Sequence, residues 1–243
     1  MKFEKKVGSL LAALLFGSGL AAPAICAPVV LPTGLNAGDQ YRLAFVTNAI
    51  RDAQSTDIND YNTFVTNVAN SQTELAGLGT TWTAIASTPT VDARTNTATD
   101  PTPPGNTGVP IFLLNNTMLA AHYDDLWDGT VLNPLEITED GSPHVSPFPF
   151  SFVWTGTFTD GTNSDPTLAL GGTFVIGALT GNPTVTSGFG WIEAFPSNIE
   201  NEYSLYAMSD ILTAPTTIAE PGVLALFGIG VAGLMITRRR RAA

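Results

Sequence analysis

Short runs of apolar and β-branched residues, separated by glycine, proline and asparagine, dominate the middle of the chain. The first run, residues 41–47, predicts a strand that opens the fold. Apolar residues then recur at three- and four-residue spacing from Ile58 to Val68. With Asp57 placed to cap it, that spacing predicts a helix whose apolar face is buried in the core.

Later runs predict a sheet. One strand is expected at residues 81–87 and another at 109–114, where Pro110 favours an edge position. Between them, residues 95–108 show no periodicity and predict a surface loop. One early helix followed by strands and long loops favours an α+β fold with a mixed or antiparallel sheet. Further strands are predicted in the second half at residues 152–158, 173–179, 189–192 and 203–208.

The N-terminal residues have the pattern of a secretory signal peptide. Three lysines precede the apolar residues 7–20, and Ala22-Pro23-Ala24 has the small-residue form that signal peptidase recognises. We therefore expect a signal peptide at residues 1–24 with cleavage after Ala24. The chain's single cysteine, Cys26, lies just beyond this point, so we expect the exported domain to fold without internal disulfides.

The C-terminal residues predict a membrane segment. Glu220 and Pro221 are followed by the uncharged apolar residues 223–236 and then by Arg238, Arg239, Arg240 and Arg241. Fourteen helical residues reach about 21 Å, less than a hydrocarbon core of about 30 Å. A segment of residues 222–237 is therefore a marginal span. The arginines favour a cytoplasmic C-terminus and place the preceding domain outside the membrane.

This tail, residues 219–243, resembles the PEP-CTERM sorting signal of Gram-negative bacteria. In that signal a Pro-Glu-Pro motif precedes a short Gly- and Leu-rich helix and a terminal arginine cluster. Ala219 replaces the first proline of the motif, whereas Glu220 and Pro221 match the other two positions. The resemblance implies recognition by an exosortase and transfer from the inner membrane to the cell envelope or extracellular matrix. The alternative is a plain C-terminal membrane anchor.

Charge limits the partners of the region between these ends. Residues 28–218 contain three arginines and 19 acidic residues, a net charge of −16. Because nucleic-acid affinity comes mainly from basic residues that neutralise phosphates, nucleic acid is excluded as a partner. We expect one extracellular domain at residues 25–212, followed by a linker at 213–218.

The order of several short motifs within residues 39–209 resembles bacterial extracellular domains of C-type-lectin-like, endostatin-like fold. The resemblance implies a scaffold that binds carbohydrate or protein. The Trp-Asn-Asp calcium signature of its sugar-binding members is absent, so the resemblance implies no sugar site. The motifs are FVT at residues 45–47, LGTTWTAIAS at 78–87, VDAR at 91–94, WTGT at 154–157 and LYAMS at 205–209.

Signals for catalysis are sparse. His122 and His144 form no metal-ligand motif, and the only Gly-x-Ser-like sequence lies in the predicted signal peptide. Asp124 and Asp128 are spaced to share one helical face, as a glycosidase-like carboxylate pair would.

Two aspartate-rich turns are the candidate binding sites. The first, residues 124–129, places Trp127 among Asp124, Asp125 and Asp128, where an exposed indole could stack on a sugar ring. We expect Trp82 and Trp154, in contrast, to be core. The second turn, residues 160–165, offers weak calcium ligands, and the alternative is a turn capped by its own carboxylates. No other cofactor is expected. The candidate calcium ligands in the second turn are Asp160, Asn163 and Asp165.

The sequence therefore supports two hypotheses. The first is an exported, non-enzymatic binding or structural module associated with exopolysaccharide or another surface protein. The second is a secreted hydrolase that acts on extracellular polysaccharide. A concave pocket with a tryptophan and two close carboxylates would favour the hydrolase.

Overall fold

The computed structural model describes residues 31–103, 107–145 and 151–215. The predicted signal peptide, the sorting residues Glu220 and Pro221, and the cluster Arg238, Arg239, Arg240 and Arg241 lie outside the described residues. So does the membrane segment predicted at 222–237. Within the described ranges, no helix has the length and apolar character that a membrane crossing requires.

The described chain folds into an α+β domain with one long helix, four single-turn helices and a mixed sheet. The helices are α1 (Ile58–Asn70), α2 (Thr73–Ala76), α3 (Ala93–Asn96), α4 (Tyr123–Leu126) and α5 (Gly188–Trp191). The strands are β1 (Gln40–Val46), β2 (Trp82–Ala84), β3 (Ile111–Leu113), β4 (Met118–Ala120), β5 (Val153–Trp154), β6 (Ala178–Gly181), β7 (Pro196–Ser197), β8 (Ser204–Ser209) and β9 (Leu212–Thr213).

Helix α1 confirms the predicted amphipathic helix. Asp57 caps it by accepting a hydrogen bond from the backbone N–H of Asn59 at 3.0 Å. Tyr61 and Val65, one turn apart, are fully buried on the face that packs against β2. The apolar spacing of the sequence therefore fixes both the presence of the helix and the face that it buries.

The sheet has the order β4-β3-β1-β8-β5-β6-β7, with β2 paired to β8 and β9 paired to β1. It is mixed, because β1 runs parallel to β3 and antiparallel to β8. The edge position predicted for β3 is wrong, since β3 lies between β1 and β4. Pro110 is tolerated because it precedes the strand, where its carbonyl accepts the backbone N–H of Arg42 at 3.0 Å.

Both ends of the described chain lie at one end of β1. Gln40 at the start of β1 pairs with Thr213 of β9, and the backbone N–H of Gly38 donates to Ala214 at 2.9 Å. We call this end of the sheet the terminal end. Strand β8 runs antiparallel to β1, so its first residue, Ser204, lies at the opposite, distal end.

Three tryptophans form much of the core. Trp82, Trp154 and Trp191 are almost completely buried, and the ring of Trp82 contacts Phe45 of β1 edge-to-face at 5.1 Å between centroids. The predictions that Trp82 and Trp154 are core residues are confirmed.

Three strands predicted in the second half are wrong in extent or type. The strand predicted at residues 152–158 is reduced to β5, Val153–Trp154. In the run at residues 173–179, Phe174–Gly177 instead forms a turn, and Val175 is 93% exposed. Glycine is required at the end of this turn, because Gly177 has φ +122° and lies so close to β7 that a Cβ there would be 1.7 Å from the Ser197 carbonyl oxygen. Strand β6 therefore begins only at Ala178, and residues 188–191 form helix α5 rather than a strand.

The loop predicted at residues 95–108 is not wholly a surface loop. It begins inside α3, and Thr97 and Thr99 are buried with their hydroxyls 2.7 Å apart. The two buried hydroxyls hydrogen-bond to each other, so this polar stretch of sequence need not be exposed.

Candidate functional site

The first aspartate-rich turn is built around a buried tryptophan. Trp127 follows helix α4 and is only 6% exposed. Its indole Nε1 donates hydrogen bonds to the Thr99 hydroxyl at 2.9 Å and the Thr99 carbonyl at 3.2 Å. The prediction that this indole could stack on a sugar is therefore wrong, because the ring belongs to the core.

The second aspartate-rich turn covers the same ring. Gly161 has φ +79°, and a Cβ at this position would be 2.7 Å from Trp127 Cδ2. Any other residue here would displace the indole. The two turns that the sequence singled out therefore meet, through the contact of Gly161 with Trp127. This is a packing contact between the backbone of one turn and the indole of the other.

The carboxylates of the turns mostly hold the turns themselves. Asp128 Oδ1 accepts from the backbone N–H and hydroxyl of Thr130 at 2.9 and 3.0 Å. Asp125 Oδ2 accepts the backbone N–H of Ala121 at 2.6 Å. The expectation that Asp124 and Asp128 share a helical face is wrong, because helix α4 ends at Leu126.

The proposed calcium ligands behave in the same way. Asp160 Oδ1 accepts from the backbone N–H of Thr162 at 3.0 Å and from its hydroxyl at 2.7 Å. Asp165 bonds Thr167 with the same geometry, at 3.0 and 2.7 Å. The side-chain amide of Asn163 donates to the Thr88 carbonyl at 2.7 Å. The geometry is that of self-capped turns, the alternative to calcium loops. Within the described ranges, no group of three or more His, Cys, Asp or Glu residues is arranged to hold a metal.

Sequence reasoning missed a buried polar cluster at the distal end. His144 Nε2 lies 3.1 Å from the hydroxyl of Ser204, and Ser204 is only 2% exposed. A second buried polar contact involves Glu139, which is only 7% exposed and whose carboxylate accepts the backbone N–H of Asn48 at 2.9 Å. His144 and Ser204 are 60 positions apart and Asn48 and Glu139 are 91 apart, so no local spacing could have indicated these contacts.

Burial lowers the pKa of one side chain, His144, and raises the pKa of another, Glu139. Desolvation lowers the pKa of His144 below its ordinary value. Desolvation also raises the pKa of Glu139, against the opposing effect of the N–H of Asn48. Both shifts favour uncharged side chains. The arrangement therefore resembles a buried structural contact more than a reactive pair.

Comparison with known proteins gives no match: neither any protein-family model nor any curated protein matches the chain. The functional argument therefore rests on the sequence and on this geometry.

Calcium is expected to leave the domain's stability unchanged. Oδ1 of Asp160 and Oδ1 of Asp165 each accept two hydrogen bonds within their own turns, and among the described residues no group of three or more candidate ligands is arranged around a common point. A bound ion at a hundredfold excess over its Kd would add about 2.7 kcal/mol. We expect no rise in Tm on adding millimolar calcium, and an Asp160→Asn variant should respond identically. A calcium-dependent rise in the parent that this variant loses would contradict the self-capped turns.

His144 should make the domain less stable as the pH falls. Below its ordinary pKa of 6.5, imidazole takes up a proton in the unfolded chain, whereas the lowered pKa keeps His144 neutral in the folded domain. The unfolded state then binds more protons, so the free energy of unfolding decreases as the pH drops through 6.5 toward the lowered pKa. Glu139 acts oppositely, since its raised pKa makes the folded state gain a proton first.

The measurement is Tm at about pH 7.5 and about pH 5.5 for the parent and for His144→Gln. Both proteins retain Glu139, so the difference between their pH dependences isolates His144. We expect the parent to lose more Tm than the variant on acidification. Equal losses would show that His144 titrates alike in both states.

Proposed function

We propose that the protein is exported and sorted to the cell envelope or extracellular matrix. There its acidic domain would be a non-enzymatic binding or structural module associated with exopolysaccharide or another surface protein. The proposal rests on the signal-peptide pattern of residues 1–24 and on the sorting pattern of residues 219–243. Signal peptidase and an exosortase are its processing partners, and the inner membrane holds it through the tail until processing.

The position of the chain ends is the observation that supports this arrangement best. Strand β9 and Ala214 pair with the start of β1, and the last described residue, Pro215, is five residues before Glu220 in sequence. Five extended residues span at most about 18 Å. This length of chain keeps the terminal end of the domain within about 18 Å of the sorting motif, and we propose that the distal end is the one available to a partner.

We further propose that the domain is of the C-type-lectin-like class. The support is the order of the short motifs, together with an early helix and a mixed sheet whose first strand pairs with strands from the end of the domain. That class is a scaffold for binding, so it accords with a module that needs no catalytic centre.

The hydrolase alternative receives less support. Trp127 is buried, and the exposed carboxylates of Asp124 and Asp128 flank it without facing each other across a helix face. The Ser204 hydroxyl, which contacts His144, is too buried to attack a polymer. Purified protein that cleaves an exopolysaccharide, and loses this activity in Ser204→Ala, would reverse the preference.

The sorting proposal is tested at the tail. Replacing Glu220 and Pro221 with alanine should leave membrane insertion intact, because neither residue adds apolar area, yet it should block maturation. Replacing Arg238 to Arg241 with neutral residues should remove the barrier to translocation and release unprocessed protein outward. The measurement is fractionation and intact mass in a host that has an exosortase.

A double variant of Thr216 and Thr217 to alanine is the matched control, since it changes two residues just before the motif. We expect it to mature like the parent. If the Glu220 and Pro221 variant also matures like the parent, the tail is only an anchor. If the exported parent retains Met1, the signal-peptide assignment is wrong.

A further inference from the structure

A groove of about 670 Å³ opens at the terminal end of the sheet. One wall is the connection between α2 and β2, including Leu78 and Thr80, and the other is residues 210–213 around β9. Asp210 carries the only charge among the described residues that line it, and its carboxylate accepts the Thr81 hydroxyl.

The groove leaves apolar side chains uncovered. Ile211 is 44% exposed, and Leu78 and Leu212 are only partly buried against the core. Burying such surface contributes about 25 cal/mol per Å². The groove is therefore a favourable place for an apolar segment.

The chain itself supplies such a segment. Leu31 lines the groove and is the first described residue. The six residues before it, Ile-Cys-Ala-Pro-Val-Val at positions 25–30, contain no charged side chain. Extended, they reach about 20 Å from Leu31. Cleavage after Ala24 would also give this segment a new α-amino group, of charge opposite to that of Asp210.

We propose that residues 25–30 of the processed chain occupy this groove, with Val29 and Val30 against its apolar wall and the new α-amino group on the side of Asp210. This inference rests on the proposed function, because the α-amino group of Ile25 exists only after the signal peptide is removed.

Two other occupants fit less well. Pro215 of the linker at residues 213–218 lines the groove, but the next two residues in sequence, Thr216 and Thr217, are polar. A second copy of the domain would bring two surfaces of net charge −16 together, which opposes association.

Cys26 allows a direct test, because it is the chain's only cysteine and lies within the proposed segment. A second cysteine is introduced in the full chain at Thr80 or Thr213, on either side of the groove. The matched control is Ala37→Cys, which is exposed, outside the groove lining and within six residues of Leu31. The exported proteins are isolated, and disulfides are read from intact mass and from non-reducing peptide maps.

We expect an intramolecular disulfide from Cys26 to the cysteine at position 80 or 213, with a yield about tenfold above that of the control, because docking raises the effective concentration of the thiol. Equal yields at all three positions, or no disulfide at any, would overturn the inference. Disulfide-linked dimers would instead assign the groove to a second copy. Linkage of the position 80 cysteine to Thr216→Cys in a Cys26→Ala chain would assign it to the linker.

Stability gives an independent readout. Val29→Asp with Val30→Asp in the full chain should lower the Tm of the exported domain by about 4–8 °C, whereas Val175→Asp, at a residue 93% exposed, should not. The same intact masses report cleavage after Ala24 directly. A cleaved protein with neither the disulfide nor the Tm loss refutes only the docking, whereas a protein that retains Met1 refutes the proposed function.

Discussion

Replacing Trp127 with alanine is expected to lower the free energy of unfolding by about 3–5 kcal/mol, the usual cost of removing a buried aromatic side chain. The indole is 6% exposed and is packed between Gly161 and Trp191, whose ring centroid lies 6.1 Å away. Its removal opens a cavity under the second aspartate-rich turn. It also leaves the buried carbonyl of Thr99 without the donor that it has in the native domain.

The measurement is urea denaturation of the exported protein. Trp127→Phe separates the two contributions, since it keeps most of the ring but loses the Nε1 donor, and we expect a cost of about 1–2 kcal/mol. Asp124→Asn is the surface control and should change stability by less than about 0.5 kcal/mol. If Trp127→Ala were as stable as the parent but lost binding to exopolysaccharide, the indole would be a ligand platform after all.

The sequence predicts well the elements whose signals lie within the element itself. Helix α1 was predictable because a local cap and a repeated apolar spacing agree, and both lie within residues 57–68. Strand β8 was predictable because its run of apolar and aromatic residues is buried along its whole length. In both cases the information is local.

The elements that it predicts poorly depend on approaches between distant residues. The run at residues 173–179 is as apolar as a strand, but the chain turns first, at a point where Gly177 closely approaches the Ser197 carbonyl. Helix α5 is a different case because its hydrogen bonds are local: the Ser187 carbonyl accepts the backbone N–H groups of Gly190 and Trp191 at 2.9 and 2.8 Å. No periodicity in four residues distinguishes that turn from a strand.

The burial of Trp127 in the candidate site was also not predictable from nearby sequence. Trp127 lies among three aspartates in sequence, which favoured an exposed position, but its burial depends on Thr99 and Gly161, each about 30 residues away. Self-capping of the aspartate turns was predictable, because a threonine two residues after each of Asp160 and Asp165 supplies the donors.

Arg42 is a buried charged residue: it lies within β1 and is only 3% exposed. Its Nε donates to the Tyr123 hydroxyl at 3.0 Å, and its Nη1 donates to the Ser209 carbonyl at 2.9 Å. Both acceptors are neutral. The two salt bridges among the described residues belong to Arg51 and Arg94. The guanidinium of Arg42 is therefore held by neutral hydrogen bonds inside a domain that is otherwise strongly acidic.

Arg42→Ala is expected to lower the free energy of unfolding by about 3–5 kcal/mol. The change removes a long buried side chain, which leaves a cavity, and it leaves the carbonyl of Ser209 and the hydroxyl of Tyr123 without their donors. Removing the charge itself acts in the opposite direction, because burying a guanidinium without an ionic partner is costly. The measurement is again urea denaturation, with Arg51→Ala, at a partly exposed guanidinium, as the comparison.

Arg42→Met decides which effect is larger. Methionine fills most of the space of the arginine stem but brings neither the charge nor the donors. If the cavity dominates, Arg42→Met should recover more than half of the loss seen in Arg42→Ala. If the two neutral hydrogen bonds dominate, both variants should be equally unstable, and Tyr123→Phe should be destabilising because it leaves Nε of Arg42 without its acceptor. We expect the first result, because replacing a buried charge by an apolar side chain of similar volume is often neutral.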